Sequence, residues 1–242
     1  MRTLGERAFR IAFLFSILAV PFSAQTASGD KIFASVLAKY ASLNSYSDSG
    51  EIINEYGTSS KDVHKFKTLF NRAPRGYLLD FTKVSGEKFV IWGDPDAFHS
   101  WWSSINSRSD YPNPSNTGVF IGSDVHTYGV AMKVTSLIYA KANLQGSFTN
   151  FTDIVLAGTD DVSGHKCYRL TGKARDIYSN TGRESNVRKM TVWVDTDSML
   201  IRNVVEEWPP LPGQVSRYTT IYDPQANPAI DAAKFKFEPP TR

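Results

Sequence analysis

Four histidines and one cysteine are the side chains of this 242-residue chain best suited to metal or nucleophilic chemistry. His64, His99, His126 and His165 are scattered, and no two stand four apart with a glutamate between them, the spacing by which one helix face grips zinc. His165 and Cys167 would share one face of a strand and offer two ligands. Zinc takes three or four from the protein, and no second pair accompanies them. Cys167 has no predicted helix N-terminus beside it to lower its pKa. Asp195 and Asp197, in "DTDSM", supply carboxylates for calcium, but the surrounding cage of oxygen ligands is missing and a turn explains both. The chain also lacks a G-x-S-x-G elbow and a phosphate-binding loop. The reading assigns no catalytic residue, no metal and no cofactor, and treats the protein as a non-enzyme.

What remains is apolar surface. Fifteen Phe, eleven Tyr and five Trp in a chain that is 41% hydrophobic are ample for one substantial core and for an apolar pocket. The strand candidates "YSDSGEIINEY", "DVHKFKTLFNR", "RGYLLDFTKV" and "EKFVIWGD" follow one another across tight turns, which predicts an antiparallel meander. Phe66, Thr68 and Phe70 alternate with Lys65 and Lys67, and Tyr77, Leu79 and Phe81 alternate with Asp80 and Thr82. One face is therefore apolar and the other wet. Phe89, Val90, Ile91 and Trp92 are apolar on both faces, which places their strand deeper or under an extra layer.

Helical spacing occurs in two places. In "DKIFASVLAKYASLN", Ile32, Phe33, Val36, Leu37 and Tyr40 form one apolar stripe, with Asp30 as the expected N-cap. In "FIGSDVHTYGVAMKVTSLIYAKANL", residues 119 to 143, Val125, Tyr128, Met132, Leu137 and Ile138 lie near helical spacing, Asp124 is the expected cap, and Lys133 and Lys141 are expected to face water. Gly129, Val130, Val134 and Thr135 weaken that segment as an isolated helix. Its helicity has to come from packing on something apolar. The stretch before it, 97–118, reads as an aromatic start followed by a loop.

Strands return with "FTDIVLAGTD", "GHKCYRLTGKA", "VRKMTVWVDTD", "SMLIRNVVEEW" and "QVSRYTTIYD". Met190, Val192 and Val194 sit two apart, as do Ile201, Asn203 and Val205. Ala232, Phe235 and Phe237 predict a final short strand before Pro239 stops it. No linker and no repeat of fixed period divides the chain, which predicts a single domain.

The N-terminus reads as a secretory leader: Arg2, Arg7 and Arg10 precede an apolar run, Ile11 to Val20, too short to span a bilayer, and Pro21 and small residues follow. Cleavage after residue 24 would leave 25–242 as the mature domain. Three Arg and one Glu leave with the leader, so the formal charge falls from +3 to +1 and no electrostatic case for nucleic acid survives. The expected location is the periplasm. The mature chain has no stretch long enough for a membrane span, and its single cysteine gives an oxidising compartment no internal disulfide to form.

The opening "IFASVLAKYASLNSYSDSG", the middle "HKCYRLTGKA", then "VWVDTDSMLIRNVVEEW" and the ending "FKFEPP" together resemble the periplasmic lipoprotein carrier and outer-membrane lipoprotein-sorting (LolA/LolB-like) superfamily, in a branch of secreted proteins. The resemblance implies a mainly antiparallel β (α+β) fold, a curved and incompletely closed half-barrel with helices on its concave side, where carriers hold acyl chains. It also implies that residues 122 to 141 form part of a lid. On that reading Phe66, Phe70, Tyr77, Leu79, Phe81, Phe89, Ile91, Val192 and Ile201 make an apolar ligand-binding wall, and Val125, Tyr128, Met132 and Leu137 cover it. The implied function is an envelope-located binding protein that shields lipid or lipoprotein acyl chains. The alternative is a periplasmic protein-interaction or sensor module on the same fold, with an envelope protein as partner.

Overall fold

The computed structural model describes residues 28–57, 60–94, 97–111, 125–139, 148, 150–175, 187–208 and 215–240. A first helix, α1 (Gly29–Ser42), leads into β1 (Ser45–Tyr56), β2 (Ser60–Arg72), β3 (Arg75–Thr82), β4 (Lys88–Asp94), β5 (Ala97–Trp102) and β6 (Ser107–Tyr111). A second helix, α2 (Val130–Ile138), precedes β7 (Phe151–Val162), β8 (His165–Arg175), β9 (Val187–Asp195), β10 (Ile201–Glu207), β11 (Val215–Tyr222) and the short β12 (Gln225–Ala226). The sequence-derived leader lies outside the described residues.

All strands belong to one antiparallel sheet, ordered β6-β5-β4-β3-β2-β1-β11-β10-β9-β8-β7, with β12 added beside β1. Each half is a meander of neighbours in sequence. The halves join where β1 pairs with β11, in a register that sets Gly50 opposite Tyr222 and Ile52 opposite Thr220. The two ends of the path, β6 and β7, stay unpaired with each other, so the sheet is a curved half-barrel and not a closed one.

Alternation decides the faces as expected for β2 and β3. Phe66, Phe70, Tyr77, Leu79 and Phe81 are buried while Lys65 and Lys67 are exposed. The Phe66 ring reaches across β1 to meet Tyr222 on β11, edge to face at 5.4 Å. Only Gly50 leaves room for this, because a Cβ there would lie 2.5 Å from that ring.

Strand β4 is buried on both faces, and the extra layer is the C-terminal tail. Val90, Trp92 and Trp101 form a separate apolar cluster on the outer face, where the Phe237 ring lies 5.0 Å from Trp92 and 5.4 Å from Trp101. The tail reaches this place without the predicted final strand. Residues Ala232–Phe235 turn as a 3₁₀ helix, capped by Asp231, whose side chain accepts from the Ala233 amide. Phe235 then packs on Gly76, where a Cβ would come within 2.6 Å of its ring.

Three further expectations are corrected. The aromatic stretch after residue 97 is not a loop through residue 111 but the hairpin β5–β6, whose polar Ser107–Tyr111 arm suits a solvated edge. Helix α1 is capped by Ser28, which accepts from the Lys31 amide, and not by Asp30, which lies in the first turn. Leu37, placed on the apolar stripe, is 39% exposed, whereas Ile32, Phe33, Val36 and Tyr40 are buried. At its other end the helix is held by Arg72 of β2, which donates to the carbonyls of Ala41 and Leu43.

Of residues 122 to 141, those described are 125–139: a 3₁₀ turn, Val125–Thr127, a break at Tyr128 and Gly129, which have φ of 51° and 83°, and then α2 for nine residues. Gly129 opens α2 in a left-handed conformation that glycine adopts freely. It has no side chain to cap the helix, and the Thr127 hydroxyl accepts from the Ala131 amide instead. Asp124, the expected cap, lies outside the described residues.

Candidate functional site

The concave face of the sheet is a continuous apolar wall. Phe66, Phe70, Tyr77, Leu79, Phe81, Phe89, Ile91, Val192 and Ile201 are all buried and belong to one cluster, so the structure brings together all nine wall residues. The same cluster takes in Ile32, Phe33, Val36 and Tyr40 of α1 and Val130, Ala131, Val134, Leu137 and Ile138 of α2. Both helices therefore lie on the wall and fill it.

Of the four residues assigned to the lid, Leu137 is fully buried in this cluster and Tyr128 is half-buried against it. The side chains of Val125 and Met132 lie outside the described residues. Tyr128 stacks on His64 of β2, with ring centroids 4.6 Å apart and planes at 20°. Just before it, His126 stacks on Phe89 at 5.6 Å and leans on Trp102 at 4.4 Å. Ring contacts thus tie the start of the segment to β2, β4 and β5.

His64 is buried and neutral. Its Nδ1 accepts from the Val84 amide at 3.1 Å, so the ring hydrogen sits on Nε2, facing the Asn54 side-chain amide at 3.1 Å. With the amide turned so that its oxygen meets that hydrogen, the Nε2–H has an acceptor. Desolvation holds the imidazole pKa below its usual value, against the pull of nearby Asp62.

Polar contacts between α2 and the wall were not legible in the sequence. Lys133, expected to face water, is 1% exposed, and its Nζ lies 2.9 Å from Oε2 of Glu206 on β10. Arg188 of β9 takes the other carboxylate oxygen, Nε to Oε1 at 2.8 Å. Desolvation alone would push the Glu206 carboxyl up, but the two cations outweigh it and hold the pKa at about 2. A second link joins the Thr135 hydroxyl of α2 to the Tyr77 hydroxyl of β3 at 2.7 Å. Glu206 points inward because a bulge between Ile201 and Asn203 shifts the phase of β10. Ile201, Val204 and Glu206 stand opposite Val194, Val192 and Met190, so the alternation of Ile201, Asn203 and Val205 does not hold.

A second buried carboxylate, Asp48 of β1, accepts from the Tyr46 hydroxyl at 2.6 Å and from the Thr68 amide at 3.0 Å. Burial pushes its pKa up to about 6.

The residues considered for chemistry have structural partners. Cys167 is buried and its Sγ donates to the His165 carbonyl at 3.4 Å, and burial pushes the thiol pKa up to about 11. The His165 ring pairs with Asp195 at 3.0 Å and not with the thiol. Asp195 accepts from the amides of Asp197 and Ser198 at 3.0 and 2.9 Å, the turn expected of "DTDSM". Among the described residues no group of three or more His, Cys, Asp and Glu is arranged to hold a metal. Cavities of about 490 and 360 Å³ are lined mostly by polar residues such as Ser49, Lys65, Lys67 and Asp223, the larger one also meeting Phe66 and Tyr222 of the core cluster.

A family model described as "Predicted periplasmic protein (DUF2092)" matches residues 102–242. No curated protein matches the chain. Among solved structures, the lipoprotein LppX of Mycobacterium tuberculosis is similar at 12% identity and a TM-score of 0.45, over 82% of this chain and 98% of that one. A Pseudomonas aeruginosa MucA/MucB complex is similar at 12% identity and a TM-score of 0.46, over 87% of this chain and 61% of that one. A LolA superfamily protein from Nitrosomonas europaea is similar at 8% identity and a TM-score of 0.34, over 87% of this chain and 98% of that one.

Proposed function

Because this chain belongs to the family described as Predicted periplasmic protein (DUF2092), we propose that it is a periplasmic binding protein that shields an acyl chain or similar hydrophobic ligand against its concave wall. Residues 1–24 would be the export leader and 25–242 the mature domain. The reading rests on one observation: a wall of nine buried apolar residues is covered in part by a nine-residue helix, Val130–Ile138, whose N-cap Gly129 has no side chain. A helix of that length is marginal in water, so packing on the wall keeps α2 in place. An acyl chain offers the wall the same kind of contact, with each buried methylene contributing about 0.8 kcal/mol. As far as these apolar contacts go, ligand and helix can therefore exchange at modest net cost. No described helix is long and apolar enough to cross a membrane.

Native mass spectrometry of protein extracted from its own envelope tests both parts of the proposal. The expected spectrum gives a polypeptide that starts near residue 25 and carries a non-covalent acyl lipid. An intact Met1 would remove the export leader. A lipid-free monomer that instead retains an envelope protein would favour the interaction or sensor module.

A further inference from the structure

Lys133 is the one charged residue of α2, whose sequence is VAMKVTSLI, and its ammonium is shut between the helix and the wall. The helix therefore does not meet the sheet through apolar contact alone. Glu206 is shared, one carboxylate oxygen facing Lys133 and the other Arg188. Separating α2 from β10 treats the members of this group unequally. Glu206 and Arg188 sit on the paired strands β9 and β10 and stay together. Lys133 travels with the helix and loses its carboxylate.

An ammonium left without a counter-charge in apolar surroundings is strongly disfavoured, by more than the pair contributes when intact. A wholly neutral ligand that parts α2 from the wall gives Lys133 nothing to pair with. A ligand whose chain lies on the wall and whose head carries an anionic oxygen supplies that partner at the moment Glu206 is withdrawn. The Tyr128 carbonyl, 3.4 Å from the same Nζ, stays within reach because it lies on the same segment.

We propose that Lys133 is a specificity-determining residue of this site and that the ligand is an acidic amphiphile, whose anionic head group replaces Glu206 as the partner of the Lys133 ammonium. The inference rests on the reading of the concave wall as a ligand site. Carboxylate and phosphate heads share the required chemistry.

The test compares cis-parinaric acid with its methyl ester, two probes with the same chain, by fluorescence titration of the mature protein above pH 7. Charge-assisted hydrogen bonds of this kind discriminate by about ten- to a hundredfold, and the wild type should prefer the acid by that factor. Hexadecyl phosphate should displace the acid, whereas hexadecanol should compete poorly. Lys133→Met should bind acid and ester alike, and Lys133→Arg should restore the preference. Equal binding of acid and ester by the wild type, or a preference that survives Lys133→Met, would overturn the role of Lys133 while leaving the wall as a ligand site. Binding of neither probe would overturn both. The wild-type comparison decides the matter even if Lys133→Met fails to fold.

Discussion

Asp48 holds a carboxyl group inside the core, and the consequence is a stability that depends on pH. The folded protein keeps that proton up to about pH 6, whereas an unfolded chain releases it near 3.8. Between those values the folded state binds the extra proton, so stability falls as pH rises through the window, by on the order of 3 kcal/mol in total. Glu206 works in the opposite sense and elsewhere: its pKa is depressed from 4.5 to about 2, so its contribution is present above 4.5 and is lost as pH falls. Asp48→Asn should flatten urea-unfolding free energies between pH 4 and 6 relative to wild type and be no less stable at pH 7. Parallel curves for the two proteins over that window would show that Asp48 ionises normally. None of this was legible beforehand, because "YSDSG" looks like a solvated strand start, and Asp48 meets Thr68 only through the pairing of β1 with β2.

Among the elements, α2 combines weak local propensity with full burial, which makes Leu137 the informative position. Leu137→Glu places a carboxylate against apolar wall, a costly arrangement relieved by moving the helix. The expected result is greater uptake of cis-parinaric acid with the β-sheet thermal melt retained. Equal loss of melting temperature and uptake would make α2 an ordinary core helix. The segment was legible as a helix on apolar surface because its large residues recur at helical spacing, yet the break at Tyr128 and Gly129 left no mark in that spacing. The faces of β2 and β3 followed from unbroken alternation. In β10 alternation is broken, since one bulge reverses the side chains after it and turns Glu206 inward. The hairpin β5–β6 was hidden by Ser, Asn and Asp, which favour turns but also suit a solvated edge strand. That Lys133 would find Glu206 could not be read from spacing, because the two meet only when both meanders are in place.

For the whole molecule, the fold class was legible because nine of the strands, β1–β4 and β7–β11, alternate or are bounded by turn residues, and their order within each meander is simply their order in the chain. The pairing of β1 with β11 has a consequence in time. Every other junction in the path links strands that are neighbours in sequence, and this one links strands from opposite ends of the chain. Contacts so distant have a large loop-closure entropy to overcome and slow the search for the native state. No strand on the path is made later than β11, so a chain threaded through a translocon from its N-terminus cannot close the seam until nearly all of it has emerged. If the seam forms at the folding barrier, Ile52→Ala, which truncates a buried side chain opposite Thr220, should slow refolding by about the factor it costs in equilibrium stability. An unchanged refolding rate with faster unfolding would place closure after the barrier and leave the delay to some other step.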